Sequence, residues 1–123
     1  AKGLRLAVNQ NGRWAPHFAW MREAVLAGHV GDPLGVHVGV HWDHTWVQGT
    51  PFERIRDLVL YDFAIHWFDF VSSVVGPRER LQVFATRSRA AGQTIGPPML
   101  AQTLLTFDGG QASLVFDAHA RYG

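Results

Sequence analysis

Alternating apolar and polar residues predict β-strands near the start of the chain and again after residue 80. Residues 4–9 alternate with the period of a half-buried strand, and residues 34–43 do so with four apolar side chains on one face. Residues 81–85 follow the same pattern, and the Gly- and Pro-rich stretch 89–98 after them is typical of a long mobile loop. These segments predict three separate strands.

The last two strands are predicted as a hairpin. Segments 101–107 and 112–119 flank two glycines at 109–110, and glycine is favoured in tight hairpin turns. With the turn there, Leu105 faces Leu114, and one face of the pair is apolar enough to pack on helices. The opposite face mixes apolar with polar residues, a composition typical of an interface between copies of the chain.

Two helices are predicted from their apolar spacing and their boundaries. The first begins at Pro16 and ends near Gly28, with apolar residues at helical intervals between them. The second begins at Thr50, where Glu53 is placed to close a capping box, and it runs with a break to Val75. A Gly-Pro pair ends it.

The order of these elements is strand, helix, strand, long helix and then a run of strands. This order favours an α+β fold, with a mostly antiparallel open sheet covered on one face by helices. The chain has 123 residues, of which 47% are hydrophobic and 17% charged, enough for one packed domain.

Charge and cysteine content narrow the classes of function. Eleven basic residues are offset by ten acidic ones, so a nucleic-acid partner is not expected. The absence of cysteine excludes disulfides, thiolate metal sites and a cysteine nucleophile. No apolar run approaches the roughly 20 residues that cross a bilayer, and the start of the chain lacks the apolar core of a signal peptide, so a cytoplasmic protein without a membrane partner is expected.

The second helix carries one polar stripe. At 100° per residue, Asp62, His66, Asp69 and Ser73 lie within about 60° of one another, among mostly apolar neighbours. His66 can exchange a proton near neutral pH, and Asp62, one turn away, can orient it, so the pair is suited to proton transfer. The alternative is a structural pair across one helical turn that caps a neighbouring loop.

Histidines elsewhere give weak evidence for a metal. His37 and His41 are about 13 Å apart along a strand, too far to share one ion. His41, Asp43 and His44 are closer and could supply ligands, but their spacing matches no fixed metal motif, so no metal site is predicted.

Aromatic residues near these segments could stack on a sugar ring, namely Trp42, Trp46, Trp67 and Phe68. Core packing is at least as good an interpretation for Trp42 and Phe68. No glycine fingerprint GxGxxG lies between a strand and a helix, so most of any dinucleotide site would lie outside this chain.

In four segments the chain resembles the Gfo/Idh/MocA family of NAD(P)-dependent sugar dehydrogenases. Residues 8–16 are similar to the family's strand that leads through an Arg to a helix begun by Pro, and residues 26–33 to its step into the substrate domain. Residues 60–69, followed by Gly76, resemble the family's helix motif D-x-x-x-H-x-x-D. Residues 107–110 resemble the hairpin of its sheet.

The resemblance implies an enzyme of which this chain is a central part. Residues 1–14 would be the last strand of a Rossmann domain otherwise absent from the chain, and residues 15–123 part of the C-terminal substrate and oligomerisation domain. The whole protein would transfer a hydride between NAD or NADP, bound mainly by the N-terminal domain, and a sugar, cyclitol or related polyol. The fragment alone is expected to be inactive.

The resemblance also implies roles for individual residues. His66 would accept the proton of the substrate hydroxyl with Asp62 beside it, and Arg13, Trp46 and Asp69 would line the substrate cleft. A homodimer or homotetramer would form through the sheet face. The competing class of function is a non-catalytic module, a sheet that mediates dimerisation or binds carbohydrate with its aromatic residues.

Overall fold

A computed structural model describes residues 3–121 as a four-stranded sheet with helices on one face. The helices are α1 (Pro16–Leu26) and α2 (Ile65–Val75), and the strands are β1 (Gly35–His41), β2 (Gln82–Ser88), β3 (Leu100–Phe107) and β4 (Gly110–Asp117). The connections contain 3₁₀ helices at Asn11–Trp14, Thr45–Val47 and Pro51–Arg54 and a π-helical turn at Val59–Phe63. The predicted α+β fold is confirmed.

The sheet is mixed, with the strand order β1-β4-β3-β2. Strand β1 runs parallel to β4, and the other two pairs, β4-β3 and β3-β2, are antiparallel. The connection from β1 to β4 therefore passes through α2, β2 and β3 before the chain returns beside its first strand.

The hairpin forms, but its register differs from the predicted one. Its turn lies at Asp108 and Gly109, so Leu105 pairs with Ala112 rather than with Leu114. Because side chains alternate with a period of two, this shift of two residues leaves every side chain on its predicted face.

Two glycines explain where the turn falls. Gly109 adopts a φ of +86°, a left-handed conformation that glycine tolerates without strain. A Cβ atom on Gly110 would lie only 2.6 Å from the carbonyl oxygen of Leu34, so this position requires glycine for close approach of two backbones. The two glycines thus act at adjacent positions for different reasons.

The core lies between the inner face of the sheet and the helices. Phe116 of β4 is 1% exposed, and its ring contacts those of Phe63 and Phe68 edge-on at 6.2 and 6.4 Å. Helix α1 packs on α2 through Phe18, whose ring centroid lies 4.7 Å from that of Phe70. Burial of these aromatic rings fixes α2 across the sheet.

The strand predicted at residues 4–9 does not form in the described chain. None of the four strands pairs with this segment, and Leu4, Leu6 and Val8 are 87%, 91% and 77% exposed. An alternating pattern stabilises a strand only when a neighbour supplies hydrogen bonds and an apolar surface. The prediction of a strand here is wrong for residues 3–121 taken alone.

The helical stretch predicted from residue 50, with a break, forms as three separate pieces. The 3₁₀ helix Pro51–Arg54 ends at Ile55, which is extended with φ −76° and ψ 113°. The π-helical turn and α2 follow, and α2 ends at Gly76 as predicted.

The capping box predicted for this helix does not form either. The Thr50 hydroxyl donates instead to the carbonyl of Val47 at 2.6 Å. The Glu53 carboxylate accepts the N–H of Gly49 at 2.8 Å and that of Gly96 at 3.2 Å. Glu53 therefore joins two loops that are far apart in sequence.

The segment predicted as a mobile loop, residues 89–98, is packed. Arg89 donates to the carbonyl of Ile95 at 3.0 Å, and the Gln93 amide donates to the carbonyls of Ile95 and Pro97 at 2.8 and 2.7 Å. The side chain of Ile95 is fully buried. Side-chain donors thus satisfy the backbone carbonyls of this segment, so it can pack against the core without leaving those carbonyls unpaired.

We expect Glu53→Gln to lower the free energy of unfolding near neutral pH and to have little effect in acid. The two backbone hydrogen bonds lower the pKa of Glu53 from its ordinary 4.5. Because the folded-state pKa is the lower one, the ionised carboxylate stabilises the fold above pH 4.5, and this contribution is lost as the pH falls through the folded-state value.

Denaturant unfolding of wild type and variant from about pH 7 to about pH 3 measures this difference. Glu79→Gln, a charge change at an exposed position, is the control. A destabilisation by Glu53→Gln that stays constant across the range would contradict the assigned role of its charge.

Candidate functional site

The candidate site is centred on the π-helical turn Val59–Phe63 and the first turn of α2. The N–H of Ala64 donates to the carbonyl of Val59, five residues back, at 2.7 Å. Such a turn holds one residue more than an α-helical turn, and π-turns occur frequently at functional sites. It rotates Asp62 relative to the residues after it, so the stripe predicted from regular 100° steps is divided.

His66 lies on the exposed side of α2 and is held by the N-terminal segment. Its Nδ1 is 2.9 Å from Oε1 of Gln10, which can only accept a hydrogen bond. Nδ1 therefore donates this hydrogen bond, and in the neutral ring Nε2 is the nitrogen that carries the lone pair. The residue is exposed, so its ring is accessible from solvent.

Asp62 contacts a residue that the helical stripe does not contain. Its Oδ2 lies 4.0 Å from Nε2 of His44, and its side chain is 38% exposed. Within residues 3–121, no hydrogen bond or ion pair joins Asp62 to His66. The structural alternative of a direct pair across one helical turn is therefore not what the chain forms.

His44 is the buried polar group of the site. Its side chain is 8% exposed, and neither ring nitrogen has a hydrogen-bond partner among the described residues. Burial lowers the pKa of His44 below its ordinary 6.5, and the carboxylates of Asp62 and Asp43 oppose that shift. His44 is therefore neutral at neutral pH.

Asp43 orders the loop that carries His44. Its Oδ1 accepts the hydroxyl of Thr45 at 2.5 Å and the N–H of Thr45 at 3.0 Å, which lowers the pKa of Asp43. The backbone N–H of His44 donates to the carbonyl of Ala118 at 2.9 Å, beyond the end of β4. The loop is thereby tied to the sheet.

Arg13 and Asp69, both predicted to line the cleft, form an ion pair with each other. The Arg13 guanidinium donates from Nε to Asp69 Oδ2 at 3.0 Å and from Nη2 to Oδ1. The pair joins the 3₁₀ helix Asn11–Trp14 to α2, on the same side as the contact between Gln10 and His66. Ser73 stays on this face of α2, and its hydroxyl donates to the carbonyl of Phe70 at 2.7 Å.

The predicted aromatic residues fall into two groups. Trp46 is 60% exposed, and its ring meets His44 and Phe52 at centroid distances of 5.0 and 6.4 Å. Trp67 and Phe68 are half-buried, and their rings pack on aromatic side chains of α1 and β4. Trp46 is thus an exposed ring beside His44, whereas Trp67 and Phe68 serve the core. Trp42 is 59% exposed, so the core interpretation of this residue is wrong for the described chain.

Residues 3–121 lack the glycine-rich turn between a strand and a helix that binds a dinucleotide. In the described chain, β1 leads instead into the 3₁₀ helix Thr45–Val47.

Residues 3–121 contain no group of three or more His, Asp or Glu that could hold a metal ion. His37 donates to or accepts from Ser113 Oγ at 2.7 Å on the outer face of the sheet. Nor does any helix among them have the length and apolar content needed to cross a membrane.

Sequence reasoning missed Gln10 and gave His44 a different role. Gln10 precedes a turn and carries no helical or strand pattern, so nothing in the sequence placed it against residue 66. The sequence pattern favours no role for His44 beyond that of a metal ligand without a fixed motif. No local sequence pattern indicates either contact. Gln10 meets a residue 56 positions further along the chain, and His44 meets one 18 positions further along.

Comparisons with known proteins agree with this architecture. D-apiose dehydrogenase of Paraburkholderia graminis is 28% identical over 119 residues, which are 96% of this chain and 31% of that protein. An oxidoreductase from Agrobacterium radiobacter, in complex with NAD⁺, L-tartaric acid and magnesium, matches with a TM-score of 0.82 and 19% identity over 98% of this chain and 35% of its own.

An inositol dehydrogenase homologue from Azotobacter vinelandii, complexed with NADH and myo-inositol, matches with a TM-score of 0.72 and 18% identity over 90% of this chain and 30% of its own. The chain thus spans about a third of the length of the relatives that it matches. The sequence model of the GFO/IDH/MocA C-terminal domain matches residues 18–123. The chain therefore belongs to the GFO/IDH/MocA family of oxidoreductases and carries its C-terminal domain.

Proposed function

We propose that this chain is part of an NAD(P)-dependent oxidoreductase that transfers a hydride between a nicotinamide cofactor and a sugar, cyclitol or related polyol. The observation that carries the proposal is the exposed His66, whose Nδ1–H is engaged by Gln10 so that Nε2 is left as a base. The names of the relatives support the substrate class, since one is a D-apiose dehydrogenase and another is complexed with myo-inositol.

His66 accepts the proton of the substrate hydroxyl on Nε2, and in the reverse direction it returns that proton to the oxygen. A nicotinamide bound by the rest of the protein would supply the acceptor for the hydride of the carbon that bears this hydroxyl. Residues 1–14 are assigned in this proposal to the last strand of the cofactor domain, which would give Leu4, Leu6 and Val8 the apolar cover that they lack here.

Three further residues line the proposed substrate cleft. Trp46 offers an exposed ring on which a sugar can stack. Asp69 and Arg13 supply a paired carboxylate and guanidinium that can hydrogen-bond to hydroxyl groups. Asp62, which contacts His44 rather than His66, would be a fourth residue of the cleft and a further acceptor for substrate hydroxyls.

The test compares the full-length protein with this chain alone. We expect the full-length protein to reduce NAD⁺ or NADP⁺ with at least one member of a panel of aldoses, cyclitols and polyols, measured by absorbance of the reduced nicotinamide. We expect the isolated chain to show no turnover and no tight cofactor binding in calorimetric titration. Low-micromolar binding of either cofactor by the chain alone would contradict the assignment of the cofactor site.

The exposed outer face of the sheet favours the second candidate function, self-association. Phe84, Leu104 and Val115 are 57%, 38% and 38% exposed on this face, across three adjacent strands. Apolar side chains on one continuous face support a homodimer or homotetramer. A non-catalytic dimerisation or carbohydrate-binding module would show this association without turnover.

The cytoplasmic location stays a prediction.

A further inference from the structure

The ring of His44 is buried in a way that leaves its polar atoms unused. Neither Nδ1 nor Nε2 has a hydrogen-bond partner in the described part of the chain, although the side chain is only 8% exposed. A buried polar atom without a partner destabilises a fold, so such atoms call for an explanation.

Packing fixes the position of this ring. It stacks on Phe63 with a centroid distance of 4.8 Å and an interplanar angle of 26°, and the ring of Trp46 meets it edge-on at 5.0 Å. A phenylalanine could make the same contacts without an unsatisfied nitrogen. The imidazole therefore has a role that packing alone does not explain.

The polar group that faces the His44 ring is the carboxylate of Asp62. Oδ2 of Asp62 lies 4.0 Å from Nε2, about 1 Å beyond a hydrogen bond. Hydrogen bonds between functional groups are often long in the absence of substrate and shorten when it binds. Asp62 is 38% exposed, so it reaches both the buried ring and the solvent side.

We propose that His44 is a positioning residue for Asp62, whose Nε2–H donates to Oδ2 when substrate occupies the site and so holds the carboxylate toward the substrate hydroxyls. This inference rests on the proposed function, because it assigns His44 to the same site as His66. His44 itself touches neither substrate nor cofactor in this assignment.

The charge state of His44 agrees with this role. Burial lowers the pKa of His44, so at neutral pH the ring is neutral and has a single N–H to donate. The carboxylates that act on it are Asp62 from the π-helical turn and Asp43 from its own loop. A neutral donor holds a carboxylate in place without neutralising it.

The first experiment compares His44→Phe with His44→Gln in the full-length protein. His44→Phe keeps the ring contacts but loses the donor, and we expect kcat to fall about 10- to 100-fold while the melting temperature is unchanged or higher. His44→Gln keeps a donor near the position of Nε2 but loses the ring stacking. We expect it to be less stable than His44→Phe and yet to retain more of the wild-type kcat.

The second experiment needs no turnover. With ¹³C-labelled histidine, NMR titration of the full-length protein follows the pKa of His44, whose signal is identified by its loss in His44→Gln. We expect Asp62→Asn to lower the pKa of His44 further, because the carboxylate that favours the protonated ring is removed. Asp69→Asn is the matched control on the same helix, since Arg13 already pairs with that carboxylate.

An unchanged pKa of His44 in Asp62→Asn would overturn the inference, as would a His44→Phe enzyme more active than His44→Gln. The NMR result is independent of the proposed function. If the protein lacked dehydrogenase activity, coupling of His44 to Asp62 would still be measured, and the fault would lie in the assignment of the reaction.

Discussion

Replacing His66 with alanine in the full-length protein should lower kcat by about 10²–10⁴-fold and leave cofactor affinity nearly unchanged. The variant removes the group that takes the hydroxyl proton, so the loss falls on the chemical step. Binding of the cofactor should be little affected, because the proposed function assigns the dinucleotide site mainly to the N-terminal domain. Steady-state kinetics with a substrate found in the panel, together with fluorescence titration of the reduced cofactor, separates the two effects.

Gln10→Ala is the matched variant for this prediction. It removes the acceptor that holds the proton on Nδ1 of His66 but leaves the imidazole in place. We expect a smaller loss of kcat than for His66→Ala, because a free ring still reaches the required tautomer part of the time. A His66→Ala protein with wild-type kcat and a lowered melting temperature would show that His66 is only a structural residue.

Replacing Leu114 with glutamate should unfold the domain, whereas Val115→Glu should leave it folded and monomeric. Leu114 is fully buried on the inner face of β4, while Val115 is 38% exposed on the outer face. Burial of an unpaired carboxylate costs several kcal/mol, which is comparable with the total stability of about 5–15 kcal/mol of a small domain. On the outer face, glutamates from two copies would repel each other across the proposed interface.

Circular dichroism and light scattering behind a sizing column measure both outcomes on the same samples. Leu26→Glu is the control, because Leu26 is 68% exposed on α1, away from the outer face of the sheet. A wild-type chain that is monomeric at tens of micromolar would remove the proposed interface. A Val115→Glu variant that unfolds like Leu114→Glu would show that Val115 does not lie on an exposed outer face and that the faces or the assembly are misassigned.

The sequence by itself determined the elements whose causes are local. Pro16 begins α1 because its missing N–H has no partner at a helix start in any case, and Gly76 ends α2 in a conformation with φ of +73°. The faces of the hairpin also follow from alternation alone. They were therefore predicted correctly even with the turn misplaced by one residue and the pairing shifted by two.

Only the tertiary structure decided which groups meet at the candidate site. A helical wheel assumes a constant 100° per residue, and the π-helical turn at Val59–Phe63 breaks that assumption just before His66. The partners of His66 and Asp69 come from 56 residues earlier in the chain, and no local pattern specifies such contacts.

Two further features depend on the tertiary structure and not on the local sequence. They are the pairing of the strand predicted at residues 4–9 and the burial of His44. A strand pattern states which side chains can share a face, but pairing depends on a neighbour that the described chain does not provide. The chemistry of His44 depends on removal of water by Phe63, Trp46 and the end of the sheet. Desolvation is a property of the surrounding atoms, so the lowered pKa of His44 followed from the fold and not from its place in the sequence.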